Sequence, residues 1–195
     1  FFSINSLLAM GQSAVWFYVY ALIWLLITYT FIVIAVIDLR HKIIPDQANI
    51  LLFILGIGVL LIKDSYSAYF HYNGSFFKSY ATVFGGQSSV LVNTVYAVLA
   101  ALIIYGGIIL LTRGRGMGLG DLKLAIPIAL LIGWPDVIIA FAASFIIGSL
   151  FAIPLLLHKV KKMTDGIPFG PFIILGVYIS IFYGYTISSW YFGLI

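Results

Sequence analysis

The 195-residue chain is 63% hydrophobic and only 8% charged, against about 25% charged residues in an ordinary soluble domain. A net charge of +4 is small for a nucleic-acid binder, and the absence of cysteine excludes a disulfide framework, a thiolate metal site and a cysteine nucleophile. The charges are also clustered: residues 1–37, 79–112, 137–157 and 166–195 carry none, so the apolar residues gather into runs long enough to cross a bilayer.

The chain therefore reads as an all-α polytopic membrane protein with about six transmembrane helices. Residues 1–15 are apolar with Asn5, Ser6, Gly11, Gln12 and Ser13 interspersed, and read as the end of a preceding element. The chain does not open on Met and shows no basic segment before its first apolar run, so no signal peptide is expected. Missing upstream sequence is expected instead. The first span is Trp16 to Ile37, ended by "DLRHKIIPD", and the second is Gln47 to Ile62. Between the second and third spans, Tyr66, Tyr69, Phe70, Phe76, Phe77, Tyr80 and Phe84 fall at near-helical spacing, with Asn73-Gly74 as a break. Such aromatics favour the headgroup layer, and the segment reads as a broken interfacial helix touching lipid. The third span is Val90 to Leu111, the fourth Leu122 to Trp134, the fifth Val137 to Leu157 and the sixth Ile167 to about Tyr185. With no internal repeat or linker, residues 1–195 read as one transmembrane domain.

Basic residues orient the spans. Arg40, Lys42, Arg113, Arg115, Lys123, Lys159, Lys161 and Lys162 fall on one side, and only Lys63 and Lys78 on the other. The positive-inside rule puts the first side in the cytoplasm. Asp38, Asp46, Asp121 and Asp165 share that face, while Asp64 and Asp136 lie outside.

The fourth span is short. Leu124 to Pro135 is roughly 18 Å of helix, against a hydrocarbon core of about 30 Å. Asp121 then lies below the cytoplasmic surface in a wet cavity, where a carboxylate marks a functional site. It follows the glycines of "GMGLGD", which permit tight turns and close approach by another chain. At the start of an apolar helix it also reads as an N-cap, favoured ionised by free N–H groups and the helix dipole. Asp38 ends the first span at a helix C-terminus, where the dipole disfavours a charged carboxyl. One carboxyl favoured ionised and one favoured neutral, at similar depth, suit aspartic hydrolysis, with Asp121 leaning to base and Asp38 to acid of a pair that titrates as a unit. Asp46, after Pro45, reads as a helix start, and Lys123 as a counter-charge to Asp121 or a snorkelling side chain. His41, His71 and His158 lack metal-ligand spacing, so no metal is expected.

Three segments in this order, "IDLRHKIIPD" (37–46), "GRGMGLGDLKLA" (114–125) and "IPFGPFIILG" (167–176), resemble the bacterial type IV prepilin peptidases, intramembrane aspartyl proteases of the GxGD class. The resemblance covers roughly residues 35 to 180. It implies that Asp38 and Asp121 are the catalytic aspartates, that Gly118 and Gly120 are the motif glycines, and that Lys123 is the family's lysine after the motif. It further implies cleavage of the basic leader of a prepilin or pseudopilin after a glycine, at the cytoplasmic edge of the inner membrane. Pro168, Phe169, Gly170, Pro171 and Phe172 match the third motif; they hold no titratable group, and the first four are candidates for lining a substrate channel. Many members carry a cysteine-containing N-terminal region linked to methylation with S-adenosylmethionine. These residues hold no such region, so no cofactor is expected for proteolysis and S-adenosylmethionine only alongside one. The competing reading is a proton- or cation-coupled transporter or channel using the same aspartates; against it, both lie near one face and no two-fold repeat is visible.

Overall fold

In a computed structural model the described residues are 4–70, 89–157 and 167–192, and they are helical with no strand among them. Helix α1 spans Ile4–His41, α2 Asp46–Phe70, α3 Val90–Ala101, α4 Gly107–Thr112, α5 Leu119–Ile132, α6 Asp136–Leu157 and α7 Gly170–Phe192. A π-helical turn, Leu102–Gly106, joins α3 to α4 in one continuous rod. Among the described residues four helices are long and apolar enough to cross a membrane: Tyr18–His41, Asp46–Lys63, Val90–Thr112 and Asp136–Pro154. Gly170–Gly184 is a shorter apolar helix. This is a multi-pass membrane protein.

Most boundaries fall within a few residues of those read from the sequence. Two differ more. Residues 4–15 are continuous with the first span, because no proline or charge falls in the helix before Asp38. Helix α2 runs past Ile62 to Phe70, and so takes in the backbone of Tyr66, Tyr69 and Phe70. The remainder of the aromatic segment, Phe76 to Phe84, lies outside the described residues, as do Lys159, Lys161, Lys162 and Asp165.

Short α5 is the centre of the bundle. Leu124, Ala125, Pro127, Ile128, Ala129, Leu131 and Ile132 are all buried, the signature of a helix wrapped by others. It packs against α2, α3, the π turn, α6 and α7. A helix of 14 residues is only roughly 21 Å long, and its neighbours rather than lipid cover its flanks.

Beyond the far end of α5 two charges are buried. Lys63 of α2 donates from Nζ to the Leu131 carbonyl (3.0 Å), and Asp136, which opens α6, lies within electrostatic reach of it. The sequence places both outside the membrane, yet they are 6% and 1% exposed. Their mutual attraction offsets part of the cost of burying either alone.

Candidate active site

The site forms where three helices begin and one ends. Helix α1 closes with the Lys42 N–H donating to the Asp38 carbonyl (2.8 Å), Lys42 itself being left-handed (φ 54°). Such a residue is a common helix stop. It fixes Asp38 in the last turn of α1 and turns "IIP" back toward α2, which opens at Asp46.

The rod of α3 and α4 ends in a similar way. Arg113 (φ 52°) and Gly114 (φ 73°) are left-handed, and the Gly114 N–H donates to the Ile109 carbonyl at 2.8 Å. The left-handed residues thus lie ahead of the GxGD glycines, at Arg113 and Gly114. Gly118 has an ordinary extended conformation (φ −80°, ψ 152°) and is itself the N-cap of α5. Asp121 occupies the third helical position instead of the cap, and its Oδ2 accepts the Gly118 N–H at 3.2 Å. A carboxylate reaching back to the cap's N–H is half of a capping box.

Asp38 is held in the same manner from another helix. It is 4% exposed, and its Oδ2 accepts the Gly170 N–H at 2.8 Å. Gly170 is the first residue of α7, so this N–H has no acceptor within its own helix. The positive end of α7 therefore acts on Asp38 against the negative end of α1, and the helix ends no longer single out Asp38 as the neutral partner. A Cβ at position 170 would sit 2.8 Å from the Asp38 Oδ2, closer than packing allows. Only glycine lets the backbone approach this carboxylate.

The two aspartates line one cleft of about 410 Å³, together with Lys42, Ile43, Ile44, Asp46, Gly118, Gly120, Lys123, Ile167, Pro168 and Phe169. They are close enough for the charge on one to act on the other. Among the described residues, no further hydrogen bond is made by either carboxylate. Each thus has one oxygen fixed by a glycine N–H and one left for chemistry.

Of the residues singled out in the sequence, Asp38, Gly118, Gly120, Asp121, Lys123, Pro168 and Phe169 meet in this cleft. Gly170 sits behind Asp38 rather than on the cleft wall, and Pro171 is not part of the lining. Phe169 is braced from α6 by Phe145 (ring centroids 5.2 Å). Lys123 does not pair with Asp121. Its Nζ bridges to Asp46 Oδ1 at 2.8 Å, joining α5 to α2, with side chains 57% and 65% exposed. Among the described residues no three His, Asp or Glu side chains converge as metal ligands.

The sequence reading passed over Asn49. It is 7% exposed, and neither polar atom of its side chain has a hydrogen-bond partner. Leaving a buried amide unpartnered costs on the order of 1–3 kcal/mol. Its signal was present: a lone carboxamide inside "ANILLFILG".

Comparisons with known proteins point the same way. A prepilin leader peptidase/N-methyltransferase of Aeromonas salmonicida is 30% identical over 171 residues, which are 88% of this chain and 52% of that protein. Proteins of the same name from Legionella pneumophila (29% over 171 residues, 88% of this chain and 51% of the relative) and Pseudomonas aeruginosa (24% over 167 residues, 86% and 51%) are also similar. The chain thus spans about half the length of these relatives. No solved structure matches it. The model of the type IV leader peptidase family matches residues 25–153, which contain the α1 end, the GxGD segment and both cleft aspartates, and the chain belongs to that family.

Proposed function

We propose that the chain is an intramembrane aspartyl endopeptidase that removes the leader of a type IV prepilin or pseudopilin, cutting after a glycine at the cytoplasmic edge of the inner membrane. The observation that carries this reading is the pair of carboxyls, Asp38 and Asp121, each fixed through one oxygen by a glycine N–H and both lining one cleft. An aspartic hydrolysis needs that pair. The ionised carboxyl takes a proton from water, whose oxygen attacks the scissile carbonyl carbon, while the protonated one gives its proton to the carbonyl oxygen. Collapse of the tetrahedral species breaks the C–N bond and returns a proton to the departing amine. The roles of base and acid belong to the pair, since the helix ends acting on Asp38 oppose each other.

Location follows from charge and the substrate class from the family. The cleft is lined by Asp38, Asp46 and Asp121 with Lys42 and Lys123, and the exposed Asp46 at its mouth gives a basic leader a carboxylate to meet. It opens where α1 ends and α2, α5 and α7 begin, the face that the lysines and arginines assign to the cytoplasm. The glycines at 118 and 120 leave the wall beside Asp121 low, room for a substrate backbone to come within reach. N-methyltransferase is part of the relatives' names; that activity is not assigned to these residues, whose cleft serves the proteolytic step without a cofactor.

The test is cleavage of a prepilin in proteoliposomes by the native chain, Asp38→Asn and Asp121→Asn, with melting temperature checked in each. Both variants are expected to lose activity by at least about 10³-fold while staying folded. If both still cleave, the aspartyl mechanism is wrong, and proton or cation binding by the two carboxyls becomes the reading to pursue.

A further inference from the structure

Asn49 lies on the side of α2 that meets α5. It follows Asp46 by three residues and precedes Gly56 by seven, so on a helical wheel it falls between them, roughly 60° from one and 20° from the other. Asp46 pairs with Lys123 of α5. Gly56 packs on Leu130 and on the Pro127 carbonyl of the same helix. The unpartnered carboxamide of Asn49 is thus set into the α2–α5 seam, one turn behind the ion pair that closes the seam at the cleft.

The facing side of α5 adds a second polar group. Pro127 has no N–H to donate to the carbonyl four residues before it, so the Lys123 carbonyl lacks its usual in-helix donor. The seam therefore offers an amide N–H, an amide oxygen and a main-chain carbonyl within a wall that is otherwise apolar. A peptide unwound for hydrolysis presents the complementary set. Each of its residues carries one N–H and one C=O, and both need partners once water is excluded.

We propose that Asn49 is a substrate-binding residue, whose carboxamide, in the α2–α5 seam one turn behind the cleft lining, hydrogen-bonds the main chain of the prepilin once the seam opens, and that the Asp46–Lys123 pair is the latch over it. The proposal rests on the leader-peptidase reading. An exposed ion pair is weak, and a cationic leader competes with Lys123 for Asp46 as it enters. Release of the pair frees the seam, and the incoming peptide group meets the amide that has no partner in the closed form.

The test begins with Asn49→Leu, which keeps the volume and removes the polar atoms. KM for prepilin is expected to rise roughly tenfold with kcat within about twofold, the pattern of a lost binding contact. Melting temperature is expected to hold or rise, since an unpartnered amide has gone. An unchanged KM, or a fall in kcat that tracks a fall in melting temperature, overturns the proposal. A second measurement does not depend on turnover. The chain has no cysteine, so Asn49→Cys supplies a single thiol, made here together with Asp121→Asn so that substrate is not consumed. A water-soluble maleimide should alkylate it, and added prepilin should slow the reaction severalfold. Leu52→Cys, on the same buried face, should react far more slowly. Equal rates at positions 49 and 52, or no protection by prepilin, overturn the proposal. Failure of the peptidase reading shows separately, as a native chain that leaves prepilin uncut.

Discussion

Asp38 and Asp121 each depend on one glycine, and the two glycines are not equivalent. The Gly170 N–H reaches Asp38 from a different helix, across a contact that a methyl group would fill at 2.8 Å. Gly118 reaches Asp121 from within the same helix start, and a Cβ there would meet the carboxylate at 3.6 Å, an ordinary contact. Gly170→Ala is therefore expected to push Asp38 out of place and reduce kcat by about 10²-fold, the scale of a misplacement of roughly 1 Å in a reacting group. Gly118→Ala should lose much less. Steady-state cleavage of a prepilin by the two variants checks the ranking; equal losses would show that the α7 N-terminus does not position Asp38. From the sequence Gly170 reads as a candidate channel-lining residue in a motif with nothing titratable, whereas in the structure it sits behind Asp38. Its part is to donate a main-chain N–H over a long sequence separation, and such a contact leaves no trace in residue type beyond the glycine itself.

Among the elements, α2 and α5 are joined at the cleft by the Asp46–Lys123 pair and deeper in by Gly56 against Leu130. The pair is largely exposed and so weak enough to open at the cleft, while the packing of Gly56 on Leu130 keeps the helices together deeper in. A double-mutant cycle on Asp46→Asn and Lys123→Gln, read by thermal unfolding, should give a coupling below about 1 kcal/mol that shrinks with added salt. A coupling of several kcal/mol would mean that the pair is a structural staple and too strong to serve as a latch. The helices themselves were legible in the sequence: the uncharged runs and the Pro45-Asp46 start survive in the structure. Partners were not. Lys123 lies two residues after Asp121 and so points well away from it around a helix, toward α2. That direction becomes visible only when α5 is known to begin at Leu119, two residues before the aspartate.

Taken as a whole, the molecule sets a central helix between two polar ends. Asp121 stands at the first turn of α5, and Lys63 donates to the Leu131 carbonyl at its last, with Asp136 nearby. Lys63 and Asp136 stand at the far end of α5 and outside the cleft. Hydropathy assigned these two to an aqueous loop, since a charge counts against burial one residue at a time. A pair buried together offsets that cost through its own attraction and the hydrogen bond to Leu131. Removing one partner strands the other. Lys63→Met is expected to destabilise the fold by about 3–5 kcal/mol, and Lys63→Met with Asp136→Leu to recover most of that loss. Thermal unfolding in proteoliposomes measures both. At temperatures well below melting, cleavage by Lys63→Met should stay within about twofold of the native chain, since the change removes no group that would touch substrate. A large loss of kcat in a variant that remains folded would instead mean that the far end of α5 sets the position of Asp121, and that the helix moves as a rod.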